Sequence, residues 1–251
     1  MNLKGKKALV TGGSRGIGAA IVRQLSEAGA QVAFTYQHSA EAARQLVDSI
    51  TLRHDGTDAQ GTALALQVDS LDAEAVRASV DQAAAHWGGL DILVNNAGVF
   101  ETKPIGEFTL SDYEWQMGIN ARAVFAAIQQ AANVMNDGGR IINIGSNLAA
   151  RVPSEGMALY AMSKAAVWGL TKGAARDLGP RGITVNVIQP GSTDTDMNPA
   201  DGPHADAQRG LRVIAGFNTP DEIAQMTLYL VSDAARSITG SSFLLDGGAN
   251  L

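Results

Sequence analysis

Tyr160 and Lys164 stand four positions apart in Tyr160-Ala161-Met162-Ser163-Lys164, a spacing that puts two side chains on one helical face. A lysine so placed brings its positive charge near the phenol. Free tyrosine titrates near ~10, so proton transfer at neutrality asks for roughly three pH units, about 4 kcal/mol, of preferential phenolate stabilisation. A neighbouring ammonium is one of few ways to supply it. Taken alone, the pair is a common coincidence of exposed helices. A second feature changes its weight: Thr11-Gly12-Gly13-Ser14-Arg15-Gly16-Ile17-Gly18, with Gly12, Gly16 and Gly18 in the spacing Gly-x-x-x-Gly-x-Gly. Glycines there allow a tight turn, close backbone approach to a pyrophosphate and close helix packing, and a helix N-terminus favours the anion. The two features together point to a dinucleotide fold with a proton-transfer pair built onto it.

The elements that must position these residues alternate along the chain. Strand-like runs at 7–11, 31–36, 62–68, 91–95, 140–144 and 183–188 are interleaved with helical patterns at 16–28, 40–53, 73–86, 111–135 and 158–178. A polar loop is expected over 54–61. Apolar strands alternating with helices are the pattern of a doubly wound parallel sheet covered on both faces. The exception is 191–216, rich in Pro, Gly and Asp. It follows the end of a strand, where such sheets bind ligands, and reads as a mobile substrate loop with a short helix.

At 251 residues the chain suits a single domain over 1–251, with 192–217 as the substrate loop inside it. A net charge of −6 argues against nucleic acid as a partner. With no cysteine, thiolate chemistry, disulfides and cysteine metal sites are excluded, and the four histidines lack metal-ligand spacing, so no metal is expected. No apolar run reaches the length of a membrane span, and no secretory leader is evident, so a cytoplasmic protein is expected.

In order along the chain, residues 11–18, Asn95-Asn96-Ala97-Gly98, Asn120, Ser146, Tyr160 with Lys164, Pro190-Gly191 and Asp246-Gly247-Gly248 resemble the short-chain dehydrogenase/reductase family, in its 3-oxoacyl-carrier-protein-reductase-like branch. The resemblance covers nearly the whole chain. It implies a Rossmann-type α/β fold with a seven-stranded parallel sheet ordered 3-2-1-4-5-6-7, a nicotinamide dinucleotide and a homotetramer. The second strand ends in Thr35-Tyr36-Gln37-His38-Ser39, without the acid that commonly grips the NAD ribose. Arg15 can hold a 2′-phosphate, with Ser39 and His38 as further donors, so NADP(H) is expected over NAD(H). The expected cofactor set is Gly12, Ser14, Arg15, Gly16, Ile17 and Gly18 in the turn, then Tyr36, His38 and Ser39. By resemblance it extends to Asp69 and Ser70 at the adenine, Asn96, Ala97 and Gly98 beside the cofactor, and Pro190, Gly191, Thr193 and Thr195 at the carboxamide. Asp69 has an alternative role as a helix cap, and Asn95 is expected to brace the sheet.

For catalysis the resemblance implies Tyr160 as proton donor and Ser146 as the hydrogen bond to the carbonyl oxygen. Lys164 would lower the Tyr160 pKa and bind the nicotinamide ribose, and Asn120 would position a water leading from Lys164 to solvent. Met157, Met162 and Trp168 are expected in the core or a subunit contact. Asn147, Leu148, Val152, Pro153 and the 196–217 loop should choose the substrate. The polarity of residues 194–203 disfavours a lipid-chain pocket, so a small or medium ketone or aldehyde is expected. Two alternatives stand beside that reading. One is a 3-oxoacyl-carrier-protein reductase. The other is a nucleotide-binding regulator, because Asn198-Pro199-Ala200-Asp201-Gly202-Pro203 is similar to a biofilm-dispersal relative in the family linked to cyclic-di-GMP.

Overall fold

The computed structural model describes residues 1–53 and 62–251; the loop expected over 54–61 lies outside the described residues. Seven strands, β1 (Lys7–Val10), β2 (Gln31–Tyr36), β3 (Ala63–Gln67), β4 (Leu90–Asn95), β5 (Met135–Ile144), β6 (Thr184–Pro190) and β7 (Ser242–Leu245), form one parallel sheet. Their order is β3-β2-β1-β4-β5-β6-β7, as expected. Val10 pairs with Phe34 on one side and Val94 on the other, so the order reverses at β1 and opens a crevice beyond its carboxyl end.

Successive strand residues face opposite sides of the sheet, and the core divides accordingly. Ala8, Val10, Ile92 and Val94 point into one apolar cluster, which also takes Ile21 and Leu25 of α1 (Gly16–Glu27) and Leu46 of α2 (Ala40–Arg53). Leu9 and Leu93 point into the other, shared with Val80 of α3 (Ala73–Trp87). Two short helical stretches, α4 (Leu110–Met117) and α5 (Ala123–Val134), are joined by a π-helical turn, Gly118–Arg122; together they span the single helical region expected over 111–135. The helix α6 (Ala158–Leu178) completes this face, with Val167 and Leu178 in the second cluster. Inside the long excursion lies α7 (Ala205–Gly210), and α8 (Pro220–Val231) returns to the first cluster through Ile223 and Leu230. Neither α8 nor β7 was delimited by the alternation of the sequence.

Several helices carry their own N-terminal stops. Asp72 caps α3 by accepting from Glu74 and Ala75 N–H groups, and capping boxes start α4 (Thr109, Asp112) and α8 (Thr219, Glu222). At α1 the cap position is Arg15, whose side chain accepts no such bond. No side chain of the cap position satisfies the first-turn N–H groups among the described residues. β5 is longer than the expected 140–144: Met135 pairs with Leu90, and the register then shifts before Arg140 pairs with Ile92. Among the described residues no helix is long and apolar enough to cross a membrane.

Candidate active site

The carboxyl ends of β1, β4, β5 and β6 meet around the crevice, and each delivers part of the expected set. After β1, Gly12 has φ +63°, and a Cβ there would stand 2.9 Å from Ala97 Cα. A Cβ on Gly18 would overlap the Gly12 carbonyl oxygen. These glycines let the turn, α1 and the 96–98 segment close together, a cradle suited to a pyrophosphate. The side chain of Asn96 locks it, donating to the carbonyls of Thr11 (3.0 Å) and Gly12 (2.9 Å). Thr11 Oγ1 accepts from the N–H groups of Asn96 (3.0 Å) and Ala97 (3.1 Å), and Thr35 Oγ1 accepts from Gly12 N–H at 3.0 Å. Neither threonine stood in the expected cofactor set. Each is a common residue inside a strand end, and only the fold brings its hydroxyl to the turn.

Around the rest of the crevice, Tyr36 and Ser39 are half-buried and His38 is exposed. Asp69 is exposed and Ser70 half-buried beside it. Asp69 accepts from Leu71 N–H at 2.9 Å, while Asp72, three residues on, caps α3; Asp69 is therefore not the helix cap. Asn95 is buried and donates to Asn143 Oδ1 at 2.8 Å, bracing β4 against β5 as expected. Ser14 and Ile17 are half-buried in the glycine turn, and Arg15 is exposed with Nη1 3.6 Å from Asp196 Oδ2.

The proton-transfer residues converge from three elements. Asn120 lies in the π-helical turn, 1% exposed, and grips Val99 in both directions: Val99 N–H donates to Oδ1 and Nδ2 donates to the Val99 carbonyl, each at 2.9 Å. Its Nδ2 also donates to Ser163 Oγ at 3.0 Å, and Ser163 Oγ donates to the Tyr160 carbonyl at 2.7 Å. Ser163 was missed by sequence reasoning, although its place between Tyr160 and Lys164 was the available signal. Lys164 is 5% exposed; its Nζ donates to the Ile144 carbonyl at 3.1 Å and lies 5.7 Å from the Tyr160 ring centroid. A Cβ built on Gly98 would be 3.4 Å from both Lys164 Nζ and Asn120 Oδ1, so these two groups border one small space. Ser146, buried after β5, accepts from Leu148 N–H at 3.2 Å.

Burial sets the charge states. It pushes the Tyr160 phenol up to about 12, against a hydrogen bond with Ser146 that pulls it down. It pulls Lys164 down to about 8. The lowering of Tyr160 by Lys164 that the resemblance implies is opposed by desolvation of the phenol, which raises it. Tyr160 is held as a phenol at neutral pH, able to donate. Phe100, also missed, meets the Tyr160 ring edge-on at 4.7 Å and is 40% exposed.

The excursion after β6 is well tied. Thr193 is buried and its hydroxyl donates to Gly191 O at 3.0 Å; Thr195, half-buried, lies over the turn, its Cγ2 3.4 Å from where a Gly16 Cβ would be. Pro190 is the buried end of β6. Arg212 donates to Ser192 O (3.1 Å) and Asn218 Oδ1 (2.9 Å), closing the base of the segment. Asn147, Leu148, Val152 and Pro153 lie near Ser146 in sequence, the first two half-buried and the last two exposed. Asn250 Nδ2 holds the Asn147 carbonyl at 2.8 Å. Met162 is 44% exposed and so not in the core, Met157 precedes α6, and Trp168 packs against the second cluster with Lys172 Nζ 4.7 Å over its ring. Among the described residues no group of three or more His, Asp or Glu is placed to hold a metal ion.

A family model described as enoyl-(acyl carrier protein) reductase matches residues 12–250. A short chain dehydrogenase from Burkholderia cenocepacia J2315, solved in complex with NADP, is 52% identical, with a TM-score of 0.96 over 100% of both chains. The cyclic-di-GMP-binding biofilm dispersal mediator protein of Escherichia coli K12 is 44% identical over 97% of this chain and 96% of its own. The 3-oxoacyl-[acyl-carrier-protein] reductase FabG of Staphylococcus aureus is 38% identical over 97% of each. With the sheet order and the glycine cradle already in place, likeness on this scale leaves one assignment: the chain is an oxidoreductase of the short-chain dehydrogenase/reductase family, in its 3-oxoacyl-carrier-protein-reductase-like branch.

Proposed function

We propose that this oxidoreductase uses NADP(H) to reduce a small or medium ketone or aldehyde to an alcohol, with Tyr160 as proton donor. The observation that carries this reading is the grouping of half-buried Tyr160 with buried Ser146 and Lys164: the phenol is hydrogen-bonded to Ser146, and Lys164 Nζ lies 5.7 Å from its ring and next to Gly98. The residues present fit the cofactor: the cradle is shaped by glycines, and the first turn of α1 has no side-chain cap to satisfy its N–H groups. Gly12, Ser14, Gly16, Ile17 and Gly18 would hold the pyrophosphate. Arg15, Tyr36, His38 and Ser39 would hold the 2′-phosphate side, and Asp69 and Ser70 the adenine. Asn96, Ala97, Gly98, Pro190, Gly191, Thr193 and Thr195 would flank the nicotinamide half. When bound, NADPH supplies the hydride.

The chain's own groups handle the proton. Ser146 orients the carbonyl oxygen toward Tyr160. The phenol then gives its proton to the oxygen as negative charge develops there, a downhill transfer because an alkoxide is the stronger base. Lys164, with a proton it can release near pH 8, restores the phenol, and Asn120 leads the path outward. The 192–217 segment closes over the substrate and gives the single 1–251 domain its selectivity. The working unit is a cytoplasmic homotetramer, a reading supported by exposed apolar side chains on α5 (Phe125, 51%) and α6 (Met162, 44%).

A second reading is supported by the 44% identity to the biofilm dispersal mediator: a regulator that binds a cyclic dinucleotide. A third, an acyl-carrier-protein reductase, is supported by the 38% identity to FabG. The test is NADPH oxidation over a panel of free ketones, aldehydes and one 3-oxoacyl thioester, beside cyclic-di-GMP titration. Turnover of free carbonyls, with the thioester poorer, is the expected result. Thioester preference would favour the third reading, and saturable dinucleotide binding without any turnover would favour the second.

A further inference from the structure

One residue of α4 is fully buried, and it is a glutamine: Gln116 has 0% exposure. Its Oε1 accepts from Glu101 N–H at 3.2 Å, while its Nε2 is a buried donor with no partner among the described residues. An amide buried with an unsatisfied donor destabilises a fold relative to an apolar side chain of the same shape. What Gln116 holds should therefore matter to something other than packing.

Four residues on, a second buried amide does a related task. Asn120 grips Val99 through both of its polar atoms at 2.9 Å. Residues 99 and 101 are thus fixed by two amides spaced four apart, so that both lie toward one side of the helical stretch. Between them stands Phe100, whose ring meets Tyr160 edge-on at 4.7 Å with an interplanar angle of 89°. Just beyond, Lys103 N–H donates to the Gly156 carbonyl at 3.1 Å, two residues ahead of α6. Phe100 is held from both sides yet remains 40% exposed, a rigid apolar surface beside the proton donor.

We propose that Gln116 is a positioning residue for the substrate side of the site: by fixing Glu101 it sets, with Asn120, where Phe100 stands against Tyr160, and hence which carbonyl compounds reach the phenol. This deepens the reductase reading and rests on it. Gln116 touches no reacting atom; it acts through the 99–101 segment.

The test compares the wild-type chain with Gln116→Met, Phe100→Ala and the double variant. Amide hydrogen exchange in the NADPH complex reads the clamp directly. In Gln116→Met the Glu101 amide should exchange about tenfold faster or more, with Val99 unchanged. Kinetics on small aliphatic and bulky aromatic ketones read its consequence. Gln116→Met should lower kcat/KM about tenfold, chiefly through KM, and shift the ratio of bulky to small substrates while the Kd for NADPH stays constant. In the Phe100→Ala background it should shift that ratio no further. Gln116→Glu keeps an acceptor and should retain Glu101 protection, which covers the case that Gln116→Met folds poorly. Unchanged exchange at Glu101 overturns the proposal, as does a change in ratio that adds to that of Phe100→Ala. A wild-type chain that reduces no carbonyl sinks the reductase reading instead, and the exchange result still decides whether the clamp exists.

Discussion

Lys164 is an ammonium 5% exposed, with a backbone carbonyl as its hydrogen-bond acceptor, and the fold sets its acidity by withdrawing it from water. Its pKa falls from 10.5 to about 8. Between those values the unfolded chain binds more protons than the folded one, so stability rises with pH across that window, by about 3 kcal/mol in all. Below pH 8 the whole cost is present. Tyr160 works in the opposite sense: its pKa is raised from 10.0 to about 12, so the folded state holds the extra proton and stability falls as pH rises through that range. Lys164→Met should therefore be more stable than the wild type at pH 7, by about 1–3 kcal/mol after the lost hydrogen bond is counted. The advantage should shrink between pH 8 and 10. Urea unfolding of both proteins at pH 7 and 9.5 checks this, and an advantage independent of pH would contradict the buried-charge explanation.

At the scale of elements, the cradle depends on α1 approaching the β1 turn more closely than any side chain permits. Gly18→Ala should cost about 1–3 kcal/mol of stability through overpacking against the Gly12 carbonyl and weaken NADPH binding at the same time. A thermal melt with and without NADPH reads both, and unaltered binding would show that the close approach is not needed. The glycine spacing that predicts this approach was legible in the sequence, as were six strands and the five helical patterns between them. Most have a buried, periodic run long enough to declare itself; β3, at one sheet edge, is only half-buried but its apolar residues Ala63-Leu64-Ala65-Leu66 still mark it. The π-helical turn around Asn120 was not, because one extra residue in a helix turn leaves no mark in apolar spacing. β7 is only four residues long and sits at the sheet edge. The start of α8 did carry a signal, Thr219-Pro220-Asp221-Glu222, whose capping box the structure bears. Thr11, Thr35, Phe100 and Gln116 are single residues of common type. Their importance lies in partners that are 15 to 86 residues away for the three that hydrogen-bond, and 60 residues away for Phe100.

For the whole molecule, a chain of net charge −6 must hold an anionic dinucleotide. The donors it can offer are local: the uncapped first turn of α1, the locked glycine turn and Arg15. NADPH at about a hundred times its Kd should then add about 2.7 kcal/mol and raise the melting temperature by about 5–10 °C. NADH at the same concentration should add less, and an equal shift from both would remove the role given to Arg15. The central claim, that Tyr160 is the proton donor of a carbonyl reduction, is tested most directly by Tyr160→Phe. Carbonyl-dependent NADPH oxidation should fall at least about a hundredfold in that variant, with NADPH binding and the melting temperature retained. Turnover that survives the loss of this hydroxyl would contradict it.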